Sequence, residues 1–217
     1  MHNISKITGK KLKNNLYSTR RMEALTDGVF AIAMTLLILD LDVTKFGQIL
    51  SNQQLIHIFS NDFSTTFISF IISFLLLGSM WAVHARQFDS IKYANRTLMM
   101  LNNLRLLTVV LIPFTTSLSG AYPDLLLAKI LFPINFLLLS LASAVEWQYA
   151  TSKEEFYNTN ELSKMHILSV TKLNYIFVGI AIIVVFASAI IGSYAFLLFI
   201  PLPLIGSKLI SNNFKNK

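Results

Sequence analysis

The sequence predicts an all-α integral membrane protein with six transmembrane helices per subunit. Three observations predict it. The 217 residues are 54% hydrophobic and only 13% charged, where a soluble domain carries about a quarter charged residues, and the mean hydropathy is +0.59. Six apolar runs, near 22–41, 63–86, 98–118, 123–148, 167–188 and 190–210, approach the roughly 20 residues that a helix needs to cross a bilayer. The basic residues gather at the ends of these runs, mostly on one side, which is a topology signal and not a nucleic-acid groove. A net charge of +7 therefore implies no nucleic-acid partner.

The first twenty residues form a basic arm (Lys6, Lys10, Lys11, Lys13, Arg20) without an apolar run. No cleavable signal peptide is expected, because the first apolar segment is too long for a signal core and no small-x-small site follows it. The first span, Arg21 to Asp42, carries Arg21 and Asp27 in its first two turns. A charge deep in hydrocarbon costs roughly 2.5 kcal/mol or more, so Asp27 needs a partner. At about 100° per residue, Ile32, Thr35, Leu36 and Leu39 share one stripe, and Asp27 lies about 140° from Ile32. The stripe alone reads as packing or lipid contact. Asp27 reads as a buried hydrogen-bond anchor or as an ion or proton site, and its angle to the stripe favours the anchor.

The 43–62 connection mixes Phe46, Ile49, Leu50, Leu55, Ile56 and Phe59 with Gln, Asn and Ser. It reads either as an amphipathic helix on the membrane interface or as a plain loop. The second span ends in Ser79–Phe88, where Trp81, His84 and Phe88 share a face. The third opens on Leu101, Asn102, Asn103 and Arg105. Thr26, Asp27, Trp81, His84 and Asn102 are thus expected at similar depth, with Asp27 accepting from indole, imidazole and amide. The fourth span is followed by a polar linker over 150–165. The fifth and sixth form a hairpin through Ser188–Gly192, and Pro201 and Pro203 kink the last span.

Lysines and arginines place both termini in the cytoplasm: the arm, then Arg86, Lys92 and Arg96, then Lys153 and Lys164, then Lys208, Lys215 and Lys217. The opposite side has Lys45 and almost nothing else. The domain plan is a cytoplasmic arm over 1–20, a six-helix membrane domain over 21–212 and a tail over 213–217. With no cysteine there is no disulfide, thiol nucleophile or thiolate metal site. No phosphate-binding loop occurs. One His and one Asp are too few for a metal site, with His2, His57 and His166 elsewhere. No cofactor and no enzymatic activity are expected.

Arg21-x-x-x-Leu-Thr-Asp27 resembles the Arg-x-x-x-Phe-Ser-Asp signature that opens the first helix of the transmembrane protein 175 family of endosomal and lysosomal potassium channels, which has six-helix bacterial relatives. The resemblance continues in Trp81-x-x-His84-x-x-x-Phe88, Leu101-Asn102 and Pro113-Phe114-x-Thr116. Leu25 and Thr26 depart from the family's Phe and Ser, while Arg21 and Asp27 match. The resemblance implies a homotetramer in the bacterial cytoplasmic membrane, with the first helix of each subunit lining a central pore. Ile32, Leu36 and Leu39 then fall at constricting positions, and Thr35 at a threonine layer proposed to help set selectivity. Arg21, Thr26, Asp27, Trp81, His84 and Asn102 become a structural network inside the subunit. In a tetramer Asp40 and Asp42 read either as acidic rings at the outer mouth or as a solvated helix terminus. The implied function is passive conduction of potassium and other monovalent cations through a hydrophobic constriction. The alternative is a proton-coupled secondary transporter using Asp27 and His84, against which no inverted repeat is visible.

Overall fold

The computed structural model describes residues 16–42, 48–60, 62–157 and 164–202. A short strand β1 (Tyr17–Ser18) leads into helix α1 (Arg20–Leu36), whose last turn tightens to a 3-10 helix over Leu37–Asp40. Then come α2 (Asn52–Ser60), α3 (Asp62–Ser90), strand β2 (Tyr93–Ala94), α4 (Arg96–Ala121), α5 (Leu126–Thr151), a 3-10 turn (Glu154–Phe156), α6 (Lys164–Ile191) and a 3-10 segment (Gly192–Phe199). Among the described residues, five stretches are long and apolar enough to span a membrane: Arg20–Asp40, Thr66–Ser90, and α4, α5 and α6. The protein is thus a helical, multi-pass membrane protein.

The sixth expected span begins as 3-10 helix and reaches Leu202; Pro203 and the residues to 217 lie outside the described residues, as do 1–15 of the arm. The 43–62 connection contains the helix α2, and its residues 43–47 also lie outside. Of the 150–165 linker, residues 158–163 lie outside the described residues; α5 runs to Thr151, a 3-10 turn follows, and Tyr157 bridges to Ile91. Gly192 turns the α6 hairpin with φ of 63°, a left-handed conformation that glycine adopts without steric cost.

Hydrogen bonds pin the start of α1. Tyr17 and Ser18 pair antiparallel with Ala94 and Tyr93. The Thr19 hydroxyl donates to the Ile91 carbonyl at 3.1 Å, and the Lys92 amide donates to the Phe156 carbonyl at 2.8 Å. The Asn95 side chain caps α4 by accepting from the Leu98 amide at 2.9 Å, and its Nδ2 donates to the Tyr149 hydroxyl at 2.9 Å. The capping bond satisfies one of the free amides that every helix start leaves.

The bundle has two apolar clusters. One, near this pinned end, gathers Met22, Phe88, Leu98, Trp147, Phe156 and Val170. The other fills the rest of the span with Phe30, Leu76, Val109, Phe132, Phe136 and Phe177. Along the helices, a polar layer falls at the boundary between them. It holds Thr26 of α1, His84 and Gln87 of α3, Asn102 and Arg105 of α4, Glu146 of α5 and Asn174 of α6, all buried.

Candidate functional site

Helix α1 has two unlike faces. Met22, Thr26, Phe30 and Ala33, with Leu37 just beyond, recur every three or four residues and are buried against α3 and α4. The opposite stripe is exposed. Ile32 is 61% exposed, Leu36 42% and Leu39 69%. Thr35 lies exposed among them, and its hydroxyl sits 2.8 Å from the Ile32 carbonyl oxygen. A carbonyl can only accept, so the hydroxyl donates its proton there and keeps its lone pairs for another partner. Asp40 and Asp42, at the end of this helix, are half-buried.

The buried face is tied into the polar layer. The Thr26 hydroxyl donates to the Met22 carbonyl at 2.9 Å and accepts from Asn102 Nδ2 at 3.2 Å. Asn102 Oδ1 accepts from Arg105 Nη2 at 3.2 Å. Arg105 Nη1 lies 3.1 Å from Glu146 Oε2, both side chains essentially inaccessible at 1% and 0%. The Arg105 guanidinium carbon also sits 5.9 Å from the centre of the Phe30 ring, a cation–π distance. A continuous chain of contacts therefore runs from α1 through α4 to α5.

The signature residues do not all converge. Trp81 Nε1 donates to Asp27 Oδ1 at 2.9 Å, but Asp27 and Trp81 are exposed on the surface of the chain. His84 is buried, its ring 4.4 Å from that of Phe88, and neither ring nitrogen has a hydrogen-bond partner among the described residues. Asn102 bonds Thr26 and Arg105 instead of Asp27. The expected three-donor cradle for Asp27 is thus a single indole bond. The reason is azimuth: Asp27 is one residue, about 100°, past Thr26, so its carboxylate looks out along the α3 flank while Thr26 looks in. The Trp81–His84–Phe88 face also splits, with the indole outward and the other two rings inward. Arg21 is exposed and makes no ion pair or side-chain hydrogen bond among the described residues. Nor do these residues contain a group of three or more His, Asp or Glu placed to hold a metal ion.

Sequence reasoning missed Glu146, because one acid in a span of 26 residues barely lowers its hydropathy. The available signal was two opposite intramembrane charges, Arg105 and Glu146, in consecutive and therefore antiparallel spans.

Comparisons with known proteins fit this geometry. Residues 21–113, which run from α1 into α4, match the family described as "Endosomal/lysosomal potassium channel TMEM175". A potassium channel of Streptomyces collinus is 38% identical over 102 residues, covering 47% of this chain and 48% of that one. The match thus spans about half the length of that relative. A potassium channel of Chamaesiphon minutus is 29% identical over 141 residues, 63% of this chain and 68% of the other. The crystal structure of a lysosomal potassium-selective channel TMEM175 homolog from the same organism superposes with a TM-score of 0.68 at 26% identity, over 87% of this chain and 97% of that one. Residues 21–113 thus resemble the TMEM175 family, and nearly the whole solved chain of a bacterial TMEM175 homolog shares this protein's helical fold.

Proposed function

We propose that the chain is one subunit of a homotetrameric, potassium-permeable cation channel of the bacterial cytoplasmic membrane, with both termini cytoplasmic and α1 of each subunit lining a central pore. The observation that carries the reading is the uncovered stripe Ile32, Thr35, Leu36 and Leu39 on a helix whose other face is firmly packed. The potassium-channel names of the two bacterial relatives support the choice of ion. The grouping of basic residues at one end of the spans supports the orientation.

In this reading, rings of Ile32, Leu36 and Leu39 form a constriction that conducts when wetted and closes when it dewets. The Thr35 hydroxyl, its proton committed to the Ile32 carbonyl, presents oxygen lone pairs to a partly dehydrated cation. Asp40 and Asp42 raise the local cation concentration at the outer mouth. Thr26 and Asn102 hold the helix from behind, Asp27 and Trp81 hold its flank, and Arg21 and His84 complete the signature group. The membrane domain covers 21–212, flanked by the arm over 1–20 and the tail over 213–217. A proton relay between Asp27 and His84 is disfavoured, since Asp27 is outside the buried layer in which His84 lies.

The test is potassium flux into liposomes carrying the purified protein, with Ile32→Asn measured beside the wild type. The expected result is potassium flux in the wild type and a severalfold larger leak in the variant. Unchanged flux in the variant removes α1 from the pore, and flux that saturates and requires a proton gradient turns the reading into a transporter.

A further inference from the structure

The end of the bundle away from β1 and β2 contains a cavity of about 420 Å³ between the start of α3, the α4–α5 turn and the hairpin after α6. Its size suits a small molecule or one end of a larger one. The walls are of two kinds. Ile68, Ile190 and Leu197 give an apolar side, and Asp124, Lys129 and Tyr194 a polar one. Ile190 is 85% exposed and Tyr194 76%, so both meet the surroundings of the subunit.

Lys129 lies in the first turn of α5, and its aliphatic stem crosses the hairpin turn: a Cβ built on Gly192 would stand 3.5 Å from Lys129 Cε. Long cationic side chains near the end of a membrane helix reach toward the interface in this way. Asp124 stands just before α5. Among the described residues Lys129 and Asp124 line one cavity and form no ion pair with each other or with a third charge. Two opposite charges held apart beside an apolar wall, at the level where headgroups lie, complement a zwitterionic amphiphile.

We propose that this cavity binds a single phospholipid with a primary-amine headgroup. Its phosphate meets Lys129, its ammonium meets Asp124 and the Tyr194 hydroxyl, and an acyl chain lies against Ile68, Ile190 and Leu197. Phosphatidylglycerol lacks the ammonium. Phosphatidylcholine carries a quaternary nitrogen that cannot donate a hydrogen bond to a carboxylate. The site is formed within one subunit, so it stands independently of the proposed pore.

The experiment is native mass spectrometry of the purified, delipidated full chain with phosphatidylethanolamine, phosphatidylcholine or phosphatidylglycerol at equal concentration. The wild type is expected to retain phosphatidylethanolamine about tenfold better than the other two, a ratio in keeping with one charge-assisted contact. Asp124→Asn erases that preference and Lys129→Ala weakens retention of all three lipids, while Lys92→Ala at the opposite end changes neither. Soluble glycerophosphoethanolamine, which carries the same phosphodiester and ammonium without the chains, displaces the lipid only in large excess. Equal retention of the three lipids overturns the proposal, and so does a preference that survives Asp124→Asn or a retention that Lys129→Ala leaves unchanged. Displacement by glycerophosphoethanolamine at the lipid's own concentration also overturns it, since the apolar wall would then contribute nothing. The wild-type comparison needs no variant, so a misfolded variant does not blunt the test.

Discussion

Replacing Glu146 with alanine strands the charge on Arg105. The two side chains meet at 3.1 Å with 1% and 0% of their surface accessible, so no water is at hand to replace the carboxylate. Removing one member of a buried pair typically costs about 3–5 kcal/mol, most of it the penalty of the charge left behind. Asn102 Oδ1 still accepts from Arg105 Nη2, and the Phe30 ring still faces the guanidinium. These contacts offset part of the loss, which places Glu146→Ala near the lower end, at about 3 kcal/mol. Glu146→Gln keeps an acceptor for Arg105 Nη1 and is expected to cost about half as much. Arg105→Met with Glu146→Leu removes both charges, and such paired replacements are often neutral or stabilising. The assay is reversible unfolding in mixed micelles followed by the fluorescence of Trp147, which neighbours Glu146 in the chain and donates to Thr171 at 3.0 Å. A loss under about 1 kcal/mol for Glu146→Ala would refute the reasoning. A double variant as unstable as the single one would refute it as well, because the cost would then lie in packing and not in an isolated charge.

The bond from Trp81 Nε1 to Asp27 at 2.9 Å predicts coupling between those residues. Asp27→Ala, Trp81→Phe and the double variant should give a coupling energy of roughly 1 kcal/mol, since Asp27 and Trp81 are partly exposed, and purely additive losses would deny the contact. Thr35→Val, equal in shape, should lower potassium-over-sodium preference severalfold while leaving the amount of assembled protein unchanged. Unaltered ion preference would remove the hydroxyl from the path. Asp40→Asn with Asp42→Asn should reduce cation conductance more at low than at high ionic strength, because salt screens a surface field over about 10 Å at 0.1 M. A reduction independent of salt would assign the two acids to packing.

Much of this architecture was visible in the residues because a membrane span needs only length and hydropathy. Among the described residues five spans satisfy that need. The sixth does not yield a plain helix in its first part, because hydropathy measures apolarity and not hydrogen-bond type; Gly192 turns the chain and the segment to Phe199 winds as 3-10 helix. The stripe Ile32, Thr35, Leu36 and Leu39 was readable as a shared face, since helical periodicity fixes angles within one helix. It does not fix which neighbour stands at which angle. Asp27 was therefore matched to three donors at the right depth, yet only Trp81 lies on its side. Glu146 and Lys129 were lost for a common reason, each being one charge in a long apolar run. Their meaning depends on what the fold brings near: Arg105 for one, and Asp124 with an apolar wall for the other.

The chain's lack of cysteine permits a direct test of α1 as the pore helix. Single cysteines at Ile32, Thr35 and Leu39, with Ala33→Cys on the buried face as control, are exposed to a cationic thiol-reactive reagent during current recording. If α1 lines the pore, the reagent blocks potassium current at the three stripe positions and spares Ala33→Cys. Block at Ala33→Cys with none along the stripe would contradict the account.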